Sequence, residues 1–136
     1  MTSAVHRVVA GHPDTRSHGG NALLAYRLAH HARSLGLRVT ALIVSRLSCS
    51  RYLQFEDRDG RPWSMRISDH FKPRLSGPAF VQLEVISRDG ASGYDEAAAL
   101  ITAALLGDIA WFDPEVRERR PRSRRRRRVW RSQPPL

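Results

Sequence analysis

Between Leu53 and Ile67, apolar side chains recur at every second position: Leu53 and Phe55, then Trp63, Met65 and Ile67. Such alternation predicts two half-buried strands, and Arg58-Asp59-Gly60 between them predicts a hairpin turn. Loop length decides which side chains face each other. A two-residue Asp59-Gly60 loop would set Glu56 against Trp63 and Gln54 against Met65. A three-residue Arg58-Asp59-Gly60 loop sets Phe55 against Trp63 and Leu53 against Met65. It also puts Gly60 where a type I turn with a G1 bulge needs a left-handed residue. Burial favours the second register, because a slip of one residue turns every side chain to the opposite face. Pro62 then lies near the turn, where it is tolerated.

The rest of the chain alternates between helical and extended patterns. From Asn21 to Leu35, Leu24, Leu28, His31 and Leu35 fall on one helical face, with Ala25, Ala29 and Ala32 beside them. Asn21 is the expected N-cap and Gly36 the expected C-terminal cap residue. Arg27, His30 and Arg33 fall on the polar side, and His30 and His31 are expected at the surface or its boundary. Residues 37–47 read as a strand in which Leu37, Val39, Ala41, Ile43 and Leu47 share one face. That parity continues to Leu53 and Phe55, with a break or bulge expected near Ser48-Cys49-Ser50. Residues 79–86 form another strand, with Val81, Leu83 and Val85 alternating with Gln82 and Glu84. Ser92 with Asp95 and Glu96 resembles a capping box opening a helix to about Leu106. Ala97, Ile101, Ala104 and Leu105 are its buried stripe, and Gly107 stops it. Asp113-Pro114 predicts a further short helix start, with Trp111 and Phe112 anchoring the joint to the core. These elements predict an α+β domain. A mainly antiparallel three- or four-stranded sheet carries two helices on one face.

Composition changes the picture at the C-terminus. The whole chain carries a net charge of +10. Residues 117–136 hold ten arginines against Glu118, or +9, which leaves +1 for residues 1–116. The division expected is therefore a body over residues 1–118 and a disordered basic tail over 119–136, too poor in core-forming residues to offset its ordering entropy. Arg122, Arg124, Arg125, Arg126, Arg127, Arg128 and Arg131 can neutralise phosphates, and Trp130 can stack on bases. DNA or RNA, bound without sequence preference, is the expected partner. No stretch approaches the ~20 apolar residues of a membrane helix, and the start lacks the apolar core of a signal peptide. A cytoplasmic protein without membrane contact is expected. The single cysteine, Cys49, excludes an internal disulfide framework.

The hairpin register also builds a second face. Tyr52 falls opposite Arg66, Ser50 opposite Ser68 and Ser48 opposite His70. The outer face of an antiparallel sheet is normally solvated, so these side chains are expected in water. Arg66 could fork onto phosphate and His70 could move a proton near neutral pH. Tyr52, Arg66 and His70 are thus the candidate catalytic residues, with Asp69 expected to point to the opposite face. His12, Asp14 and His18 are metal-ligand types in a Gly- and Pro-rich loop that fixes no geometry. Neither a metal nor a cofactor is expected.

Two resemblances add to this. VVAGHPDTRSHGG followed by a helix and GLRVTALIVS resembles the opening of the LmbE/PIG-L family of zinc-dependent N-acetylglucosaminyl deacetylases. His12, Pro13, Asp14, Gly19 and Gly20 fit its motif over about 40 residues. Thr15 stands where that family has a second, metal-binding Asp, and Arg16 where it has Glu, so a carboxylate ligand is lost. SCSRYLQF followed by RISDH is similar to small uncharacterised proteins of phages and prophages, carried here by Ser50, Arg51, Tyr52, Arg66, Ile67, Ser68, Asp69 and His70. That resemblance implies a mobile-element origin and brings no activity. The expectation is a nucleic-acid-associated protein of phage or prophage type, whose body would present the Tyr52/Arg66/His70 face and whose tail would supply salt-sensitive affinity. The alternatives are a small toxin-type RNA endonuclease using Arg66 with His70 or Tyr52, and a non-catalytic partner-binding module.

Overall fold

The computed structural model describes residues 5–12, 21–45, 50–70 and 81–111. The elements run β1 (His6–Ala10), α1 (Asn21–Ser34), β2 (Arg38–Val44), β3 (Arg51–Glu56), β4 (Pro62–Ser68), β5 (Leu83–Ser87) and α2 (Tyr94–Leu106). The strands form one five-stranded sheet in the order β1-β5-β4-β3-β2. β2, β3 and β4 are antiparallel neighbours, whereas β4 with β5 and β5 with β1 are parallel. The α+β class and the two helices agree with expectation; the mainly antiparallel, three- or four-stranded sheet does not. β2 and β3, and β3 and β4, are neighbours both along the chain and in the sheet. The pairing of β1 with β5 joins segments some 77 residues apart, for which no turn signal exists. β1 is also too short to declare itself by alternation.

The hairpin has the three-residue loop. Phe55 pairs with Trp63, Leu53 with Met65 and Tyr52 with Arg66. Gly60 has φ 79°, and its N–H donates to the Asp57 carbonyl at 3.0 Å. The Phe55 and Trp63 rings lie nearly parallel, with centroids 6.3 Å apart. Both rings are buried in a core that joins Leu53, Met65, Ile67, Leu83 and Val85 to Leu24, Leu28 and Ala32 of α1 and Ala97, Ile101 and Ala104 of α2. Each such large side chain contributes about 1.5–3 kcal/mol when taken from water.

The strand expected over residues 37–47 ends at Val44 and turns back antiparallel into β3; residues 46–49, with Ser48 and Cys49, lie outside the described residues. Its parity is corrected as well. Val39 pairs with Phe55, but Ala41 pairs with Gln54 and Leu42 with Leu53. The irregularity at Thr40 swaps the faces, so Leu42 joins the helical side and Ala41 and Ile43 leave it.

Two residues past the end of α1, Gly36 (φ 84°) turns the chain, and its N–H and that of Leu37 satisfy the carbonyls of Arg33 and Ala32. His31 bridges to α2, its Nε2 lying 3.1 Å from Thr102 Oγ1, while His30 is exposed. The expected Ser92 cap is absent. Gly93 is the N-cap of α2, with no side-chain bond to the helix, and the Ser92 hydroxyl donates instead to Asp89. A Cβ on Gly93 would lie 3.1 Å from Ala10 Cβ and 3.3 Å from Val85 Cγ2, and φ is 94°. The close approach of α2 to β1 and β5 therefore requires glycine here. Gly107 ends α2, its N–H reaching the Ala103 and Ala104 carbonyls. Trp111 anchors as expected, its indole N–H donating to the Pro62 carbonyl at 2.8 Å. Phe112, the Asp113-Pro114 helix start and the basic tail lie outside the described residues.

Candidate functional site

The sheet register lines up one row across four strands. Arg7 of β1 pairs with Glu84 of β5, Glu84 with Arg66 of β4, and Arg66 with Tyr52 of β3. Side chains on one row of a sheet share a face. This row lies opposite the face of Leu53, Met65, Leu83 and Val85, on which the helices pack. Arg66 Nη1 donates to Glu84 Oε2 at 3.0 Å, and Arg7 Nε donates to Glu84 Oε1. One carboxylate thus sits between two guanidinium groups.

The neighbouring row completes the cluster. Ser50 Oγ donates to Ser68 Oγ at 3.0 Å, and Arg66 Nε donates to Ser50 Oγ at 3.4 Å. Arg66 Nη2 lies 3.4 Å from His70 Nδ1. A guanidinium only donates, so this contact makes Nδ1 the acceptor and places the imidazole proton on Nε2. Nε2 in turn lies 4.0 Å from Asp69 Oδ1. Asp69, expected on the opposite face, comes round to His70 because β4 ends at Ser68 and strand alternation no longer governs it.

The three candidate catalytic residues Tyr52, Arg66 and His70 are therefore brought together, but not in water. Tyr52 is 1% exposed and Arg66 4%, while Ser50 and Ser68 are fully buried. The expected solvated face is a buried polar layer. Charge at such depth must be paired and hydrogen-bonded; Glu84 supplies the pairing, and Ser50 and His70 lie within hydrogen-bond distance of the same guanidinium. Of the cluster, Arg7 at the β1 edge is about half exposed and His70 and Asp69 about a quarter each. Chemically the row can fix a charge network and hold the His70 tautomer. Arg66 already spends its donors on protein groups.

Sequence reasoning missed Glu84, Arg7 and Asp57. The parity of Glu84 was legible, since it alternates with Leu83 and Val85, but its strand neighbours were not. Asp57 closes the hairpin. Its Oδ1 accepts the N–H groups of Asp59 (2.9 Å) and Arg61 (3.0 Å). Its Oδ2 accepts Arg61 Nε (2.9 Å) and the Trp63 indole N–H (3.0 Å). Burial alone would raise the Asp57 carboxyl. The bonds from Trp63, Arg61 and Asp59 outweigh it and hold the group below the ordinary carboxylate range. An Asp immediately before a turn tripeptide was the available signal. Asp89 is held low in the same way, by the hydroxyl and amide of Ser92 and the amide of Ala91.

Among the described residues, no group of three His, Cys, Asp or Glu side chains could hold a metal ion. Of the three metal-type residues in the first loop, only His12 is described. Among those residues, too, no helix is long and apolar enough to cross a membrane. Arg122, Arg124, Arg125, Arg126, Arg127, Arg128, Trp130 and Arg131 lie outside the described residues. The chain matches no protein-family model, and comparison with curated proteins and with solved structures gives no match either.

Proposed function

We propose that this is a nucleic-acid-associated protein that holds phosphate backbones through its arginine-rich C-terminal segment. The observation that carries this reading is the segregation of charge: +9 over residues 117–136 against +1 over residues 1–116. Seven arginines and a tryptophan within Arg122–Arg131 offer phosphate neutralisation and base stacking together. The likeness of Ser50-Arg51-Tyr52 and Arg66–His70 to phage and prophage proteins favours a mobile-element setting. A toxin-type ribonuclease would need Arg66 to exchange Glu84 for a substrate phosphate inside a buried layer, so binding is the preferred reading over cleavage.

The test is a titration of labelled single-stranded and duplex DNA and RNA across a salt series. Full-length protein is compared with a full-length variant carrying Gln at Arg124, Arg125, Arg126, Arg127 and Arg128. Each phosphate contact contributes roughly 0.7–0.9 to the slope of log affinity against log salt. The five substitutions should therefore lower that slope by about 3.5–4.5 units. An unchanged slope refutes the reading. RNA cleavage that disappears in His70→Ala would establish the ribonuclease instead.

A further inference from the structure

The outer side of α1 has an unusual composition. Leu23, Tyr26, Arg27, His30 and Arg33 are all exposed, Leu23 and Tyr26 by about two thirds. At 100° per residue they fall within about a third of the helix circumference, opposite buried Leu24, Ala25, Leu28 and Ala32. The 14-residue helix contains no carboxylate. Arg33 in the last turn complements the helix dipole, but the dipole explains neither an outward-facing Tyr26 nor the absence of any acid. The nearby carboxylates Asp95 and Glu96 of α2 form no ion pair with Arg27 or Arg33 among the described residues. Arg27 instead lies 3.9 Å above the Tyr94 ring.

The point where the described chain ends gives this stripe a second context. Trp111 is tied to the Pro62 carbonyl. Pro62 pairs with Glu56, and Glu56 with Arg38 at the start of β2. α1 delivers the chain to that same end of the sheet, with Arg33 in its last turn. The remaining 25 residues, 112–136, therefore leave from the end of the sheet on which α1 finishes. The 13 residues from Trp111 to Arg124 can span up to about 45 Å, whereas α1 is about 21 Å long. The arginine cluster can thus serve the same bound strand as any part of α1, at the high effective concentration of a tethered pair.

We propose that the Tyr26/Arg27/His30/Arg33 face of α1 is a contact surface for single-stranded nucleic acid, with Arg27 and Arg33 on successive phosphates and Tyr26 stacked on a base. It rests on the preceding reading, to which it adds a site in the folded body. Base stacking on an exposed aromatic favours single strands, whose bases are free, over duplex. A cationic helix face without carboxylates suits a polyanion by charge complementarity.

The experiment uses full-length protein with a labelled oligouridine single strand, a labelled duplex and phosphatidylserine vesicles, over a salt series. Arg27→Gln with Arg33→Gln should lower the single-strand salt slope by about 1.4, two contacts at roughly 0.7 each. Tyr26→Ala should weaken single-strand binding about tenfold with the slope unchanged, and leave duplex binding alone. Circular dichroism shows that each variant is folded. If the α1 variants bind as the parent does while the five-glutamine tail variant loses affinity, the α1 surface is refuted and the tail reading stands. Loss of affinity in the α1 variants alone refutes the tail reading and keeps the surface. A change confined to vesicle binding makes α1 a membrane contact and overturns the proposal. Parent protein that binds no nucleic acid at moderate salt overturns both.

Discussion

Tyrosine, arginine and histidine come together twice in this molecule, with opposite outcomes. On the β3–β4 face, Tyr52, Arg66 and His70 sit in or beside a buried layer in which Glu84 and Ser50 take up the Arg66 donors. On α1, Tyr26, Arg27, His30 and Arg33 stand in water, and Arg27 and Arg33 have no carboxylate partner among the described residues. The residue types are the same, so their chemistry does not separate the clusters. Their neighbours do. The first acquired a carboxylate from a strand next to it in space; the second projects from a helix whose inner face alone is packed. A buried charge already paired within the protein must leave its partner uncompensated to take up a ligand. An exposed one without a carboxylate beside it is open to an anionic partner.

The largest expected effect would break the first cluster. Glu84→Gln leaves Arg66 buried without its counter-charge and should cost about 3–5 kcal/mol in urea unfolding. Replacing the pair together, Glu84→Leu with Arg66→Met, should recover most of that loss. If Glu84→Gln is as stable as the parent, the row is not a buried ion pair.

A smaller effect is expected at the turn that sets the register. Asp57→Ala removes the acceptor of four donors, including the buried Trp63 indole, and should cost about 1–3 kcal/mol. Asp57 and Asp89 both have folded pKa values below their unfolded ones. Their contribution is therefore complete above about pH 5 and is lost as pH falls through the folded values. Unfolding free energy measured from pH 7 downward should decline below about pH 4, and less steeply in Asp57→Ala. A rise in stability on acidification would contradict this assignment.

The smallest stability effects belong to the second cluster and sharpen the contrast. Tyr26→Ala and Arg33→Gln should lie within about 0.5 kcal/mol of the parent. Arg27→Gln should lose no more than about 0.5–1 kcal/mol through its contact with Tyr94. The same substitutions should carry the change in nucleic-acid affinity. Equal stability losses at Glu84 and at Arg33 would erase the distinction between the two clusters.

What the sequence determined by itself is whatever depends on neighbours along the chain. The alternation of Leu53, Phe55, Trp63 and Met65 and the left-handed Gly60 were enough to specify the hairpin and its register. The four- and three-residue steps from Leu24 to Leu28 to His31 specified α1. Gly36 and Gly107 marked helix ends because a positive φ is cheap only for glycine. The charge of the C-terminal segment needed no fold at all. Tertiary structure alone decided the placement of β5 between β4 and β1. It also decided the shift of face at Thr40 and the encounter of Arg7, Glu84 and Arg66. Side-chain alternation states which face a residue occupies on its own strand. It carries no information about which strand lies alongside, and that neighbour made Glu84 the partner of Arg66.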